Sequence, residues 1–157
     1  MRPTDQSEKY EGYKKAIDTF NKHLNDEEYL SAYVLGISIL EDIIALTYLD
    51  ILLLNGEITI DDKKNHRVPE IKEDERISVV RMLGEIDKFD FDIDESKSIR
   101  QRNIDRIKRL LKKRNDNVHS AMWNINQIEK SDCDEIMEKF NVMKKYSYHV
   151  KKNLRYE

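Results

Sequence analysis

A chain of 157 residues amounts to about one domain, and 39% hydrophobic content supports one modest core, which excludes a two-domain enzyme. With 38% of residues charged and only four Gly and two Pro, the chain lacks the turn punctuation of a sandwich, a barrel or a disulfide scaffold, and it reads as all-α. The 28 basic and 31 acidic side chains nearly cancel, so charge-based recognition must be local. The lone Cys133 excludes an internal disulfide and a multi-thiolate metal site, and with no apolar run in the first 20 residues it points to the cytoplasm.

Residues 7–24 carry Tyr10, Tyr13, Ile17, Phe20 and Leu24 at spacings of three and four, one stripe of a packing helix. Residues 28–54 are apolar on nearly every side, which predicts the central helix of a bundle. Glu41, Asp42 and Asp50 lie inside that stretch and would each cost a few kcal/mol in lipid, so a membrane span is rejected. Residues 55–75, with the turn dipeptide Asn55-Gly56 and Pro69, read as a loop. Ile77, Val80, Leu83 and Ile86 mark a short helix, followed by an acidic connector over residues 87–95.

From Ser96 the apolar positions Ile99, Ile104, Ile107 and Leu111 define a helix with strongly basic outer faces that runs into Arg114, where a polar cluster follows. Ser131-Asp132-Cys133-Asp134 resembles a capping box opening a long terminal helix, marked by Ile136, Phe140, Met143, Val150 and Leu154. Residues 1–157 thus read as a single helical domain, a bundle of four to six helices with no internal repeat.

Several chemistries lack their parts. Gly12, Gly36, Gly56 and Gly84 are isolated, so no phosphate-binding loop is available. Asp116-x-x-His119 is a single approach to the paired motifs of di-iron bundles, and Cys133 sits among Asp132, Asp134 and Glu135, which disfavour a thiolate. His23, His66 and His149 lie in polar segments with no matching partner and read as solvated.

The remaining candidate is Arg114-Asn115-Asp116-Asn117-Val118-His119. An imidazole moves protons near neutral pH, and a guanidinium pairs bidentately with phosphate oxygens as charge accumulates on them. In a continuous helix Arg114 and His119 stand about 140° apart around the axis. A break or N-cap at Asn115 or Asp116 would bring them together, and both residue types favour such a position.

These residues resemble the HEPN superfamily of small helical proteins, many of them ribonucleases, whose signature is Arg-x(4–6)-His with Asn most often directly after the Arg. Here Arg114, Asn115 and His119 supply it. The run Ile39-Leu40-Glu41-Asp42-Ile43-Ile44 is similar to the family's central helix, on which an acidic residue often contacts the motif Arg; Glu41 is the candidate and Asp42 its alternative. The resemblance implies metal-independent endoribonuclease action with no cofactor: His119 assists attack of the RNA 2′-hydroxyl, Arg114 stabilises the anionic transition state, and the ends are 2′,3′-cyclic phosphate and 5′-hydroxyl. It also implies a homodimer with a composite active site and a role as toxin or defence effector, with an antitoxin or a larger complex as partner. Members neutralised by an adenylating MNT partner carry Tyr two residues after the His; here Ala121 stands there.

Residues 100–114 hold eight cations, Arg106, Lys108, Arg109, Lys112 and Lys113 among them, against Asp105 alone, a local charge of +7. Such a ridge suits RNA backbone, with Tyr146, Tyr148 and Trp123 as candidate base-stacking groups. The rival reading of the ridge is a solvated face paired with the acidic connector. The rival reading of the whole is a non-catalytic binding or assembly module in which Arg114 and Glu41 form a structural ion pair.

Overall fold

The computed structural model describes residues 3–65, 78–89, 91, 93, 95–119 and 128–154, with backbone alone for 3–11 and 114–119. Among these residues there are six helices and no strand: α1 (Pro3–Asn25), α2 (Tyr29–Leu54), α3 (Ile60–Lys64), α4 (Val79–Lys88), α5 (Lys97–His119) and α6 (Lys130–Leu154). No helix among them is long and apolar enough to cross a membrane.

The centre is α2, as its unbroken apolar pattern requires. Ala32, Tyr33, Ile37, Leu40, Ile44 and Leu49 are buried around its circumference, and α6 and α1 cover most of it, with α4 next. Gly36 lets the three central helices meet closely, because a Cβ there would stand 2.9 Å from both Ile136 Cγ2 and Phe20 Cε2. The stripe expected on α1 is present, with Phe20 buried and Tyr13, Ile17 and Leu24 packed against the core.

Helix α1 ends in a left-handed turn: Glu27 has φ 58°, its N–H donates to the Leu24 carbonyl, and the Glu28 N–H reaches back to His23 O at 2.8 Å. The same device closes α2, where Gly56 at φ 75° and the bond from Glu57 N to Leu52 O reverse the chain.

The loop expected over residues 55–75 holds a helix instead. Thr59 and Asp62 form a reciprocal capping box at its start, and Lys63 reaches the carboxylate of Asp50, which is fully buried on α2. Capping and that ion pair override the poor periodicity of the segment. Residues 66–77, with Pro69 and Ile77, lie outside the described residues.

Helix α4 begins at the Ser78 hydroxyl, which accepts from Arg81 N, and buries Leu83 and Ile86, while Val80 faces solvent. The connector is more than acidic. Phe91 is buried, stacks on Tyr146 at 4.9 Å and meets Phe89 edge-on, and the guanidinium of Arg100 lies 5.4 Å over its ring. Its alternation of apolar and acidic residues was the sequence sign of this docking.

That packing resets the register of α5. The inward stripe is Arg100, Ile104, Ile107 and Leu111, and Ile99, expected inside, is 47% exposed. The α6 start is two residues earlier than the capping pattern suggests: the Glu129 N–H donates to the Asp132 carboxylate, leaving Ser131 within the helix.

Candidate functional site

The motif occupies the last two turns of α5, and the helix runs through it without interruption to His119. The break expected at Asn115 or Asp116 is absent. Once the residues from Lys97 to Arg114 are helical, adding a residue costs little compared with nucleating a new helix, so the capping preference of Asn and Asp does not stop it. At 100° per residue, the backbone puts positions 115 and 119 in register with Lys108 and Lys112, and position 114 in register with Arg100, Ile104, Ile107 and Leu111. Within one chain the backbone therefore sets Arg114 and His119 about 140° apart.

Three cross-links fix the level of this end. The Tyr33 hydroxyl donates to Leu110 O at 2.8 Å, Lys113 pairs with Asp132 at 2.7 Å, and the Cys133 thiol donates to Tyr29 O. Helix α5 thus runs antiparallel to α2 and α6, with its C-terminal turns beside their N-terminal turns. Glu41 is half-buried and lies twelve residues beyond Tyr29, about 18 Å along the helix. The Arg114 side chain lies outside the described residues, and with it the ion pair to Glu41 that the resemblance implies. The alternative, Asp42, accepts a bond of 2.5 Å from the Tyr13 hydroxyl of α1, and burial, then this bond, raises the Tyr13 phenol well above its usual range.

The proposed RNA contacts separate into groups. Arg106 and Arg109 are exposed on the outer face, Lys112 is exposed and Lys108 half-buried beside the motif face, and the Lys113 ammonium is engaged by Asp132. Of the stacking candidates, Tyr146 is excluded: it is buried, and its hydroxyl donates to Glu95 at 2.5 Å. Tyr148 is 65% exposed, and Trp123 lies outside the described residues.

Cys133 is buried, and burial first, then Asp132 and Asp134, pushes its thiol up to about 11, which leaves no thiolate at neutral pH. His23, read as solvated, instead pairs with Glu28 at 2.9 Å, and His149 meets the Phe91 ring edge-on; His66 lies outside the described residues. An open depression lined by Asn21, Leu24, Asn25, Tyr29, Lys130 and Asp134 lies at the bundle end that the motif also occupies. No group of three metal-ligating side chains occurs among the described residues.

No protein-family model matches the chain, and no curated protein or solved structure is significantly similar to it.

Proposed function

We propose that the chain is a metal-independent endoribonuclease of HEPN type. The observation that carries this reading is the run Arg114-Asn115-x3-His119 in the terminal turns of a basic helix within an all-helical bundle, with Asn115 and His119 in register with Lys108 and Lys112. His119 takes the proton of the 2′-hydroxyl as its oxygen attacks the adjacent phosphorus. The bond to the 5′-oxygen breaks, and that oxygen receives a proton from a second imidazole. Arg114 pairs with the non-bridging oxygens as negative charge builds on them. An unbroken helix holding Arg114 and His119 on different faces supports a site completed by a second copy, in which the Arg of one protomer and the His of the other meet one phosphate. A toxin or defence role and the cytoplasm belong to this same reading.

The test is incubation of the purified protein with RNA in EDTA, followed by analysis of fragment ends. Fragments ending in 2′,3′-cyclic phosphate and 5′-hydroxyl, lost in His119→Ala with the melting temperature unchanged, are expected; intact RNA across several substrates overturns the reading.

A second reading has its own observation. The backbone register of α5 puts position 114 in line with Arg100, Ile104, Ile107 and Leu111, all four buried, and this register favours a non-catalytic assembly module. In that case Arg114→Ala lowers stability and no RNA is cut.

A further inference from the structure

The cations of α5 do not form one surface. Arg100 is buried against Phe91 and 3.6 Å from Asp87, and Lys113 is bound to Asp132. Lys108 and Lys112 flank the motif face. What remains is a stripe of three exposed arginines, Arg102, Arg106 and Arg109, spaced four and three residues apart, within an arc of about 60° and with rises of about 6 and 4.5 Å. None of the three makes an ion pair with a described residue.

Among the described residues, four acids are engaged by other groups: Asp87 by Arg100, Glu95 by Lys145 and Tyr146, Asp132 by Lys113, and Glu138 by Lys139. Asp105 is the one acidic residue between positions 97 and 113. The described ends of the acidic connector, Asp87 and Glu95, thus serve the helix interfaces rather than this stripe. Three guanidinium groups in a row, each a planar fork of donors, are suited to successive phosphates of an extended strand.

By helical register the stripe lies roughly 110° around α5 from Arg114 on one side and from His119 on the other. A strand seated on it is therefore not the strand segment at the motif of the same protomer.

We propose that Arg102, Arg106 and Arg109 form a separate seat for RNA backbone, which tethers substrate without touching the scissile phosphate. The proposal rests on the ribonuclease reading for the identity of the polyanion, whereas the seat itself is independent of cleavage.

The test measures fluorescence anisotropy of an RNA oligomer carrying 2′-O-methyl groups, which cannot be cut, across a salt series, with wild type and with the triple variant R102Q/R106Q/R109Q. Three lost phosphate contacts reduce the slope of log affinity against log salt by about 2, and weaken binding at least tenfold at moderate salt. The triple lysine variant keeps the slope. With a cleavable RNA, the glutamine variant raises KM with kcat unchanged, a loss of binding that is uniform between ground and transition states. Unchanged affinity and slope in the glutamine variant overturn the proposal, as does equally tight, stripe-dependent binding of poly-glutamate or of anionic vesicles. If wild type cuts no RNA yet binds the methylated oligomer through the stripe, the cleavage reading fails and the seat stands.

Discussion

Glu27 shows how a single backbone angle sets a local cost. A non-glycine residue in the left-handed region is strained by about 1 kcal/mol, and Gly56 occupies the equivalent turn after α2 without that strain. Glu27→Gly is therefore expected to raise stability by about 0.5–1 kcal/mol in urea unfolding, and Gly56→Ala to lower it by about 1 kcal/mol. Gly36 is constrained by neighbours instead, since a methyl group would collide with Ile136 and Phe20; Gly36→Ala should cost about 1–3 kcal/mol despite its better helix propensity.

Cys133 gives a pH dependence whose sign is fixed. Its thiol rises from 9.0 to about 11 on folding, so between those values the native state keeps a proton that the unfolded state has released, and stability falls as pH rises through that window. The Tyr13 and Tyr146 phenols, both raised from 10.0 chiefly by burial, extend the loss to higher pH. Melting temperatures from pH 8 to 11 should fall more steeply in wild type than in Cys133→Ala, and the folded thiol should resist iodoacetamide at pH 8.

At the scale of elements, the short α3 is held by a buried charge. Lys63 is the cation paired with Asp50, whose carboxylate is fully buried on α2. Lys63→Met is expected to cost about 3–5 kcal/mol by leaving that carboxylate uncompensated, and adding Asp50→Leu should recover most of the loss. A double-mutant cycle by chemical unfolding checks this; additive effects would show that the two charges do not depend on each other.

Elements also show what patterning conveyed. The apolar run of α2 announced its burial, and the stripes of α1 and α6 announced theirs, because a three-to-four spacing has one structural meaning when it is long. The stripe of α5 was misread by one position. Arg100 and Ile99 exchange the places their polarity suggests, since Phe91 and Asp87 offer a guanidinium both a ring face and a carboxylate. Such a partner comes from another segment and leaves no trace in local periodicity.

For the whole molecule, the composite-site reading makes a concentration-dependent prediction. If the Arg and His that act on one phosphate come from two copies, specific cleavage activity falls on dilution below the dimer dissociation constant. Mixing wild type with excess inactive His119→Ala should then lower the activity per wild-type chain, because the heterodimers keep only one of the two imidazoles that the reaction uses. Activity independent of concentration, with no loss on mixing, would return the site to a single chain.

The amino-acid sequence by itself determined that this is an all-helical protein with α2 at its centre, and it singled out the motif of Arg114, Asn115 and His119, because apolar periodicity and residue chemistry are local properties. The tertiary structure decided which cations remain free to meet a ligand, that Tyr146 belongs to the core, and that the motif helix continues unbroken. Those outcomes depend on which groups meet across helices, and charge pairing between distant segments is settled only when packing brings them together.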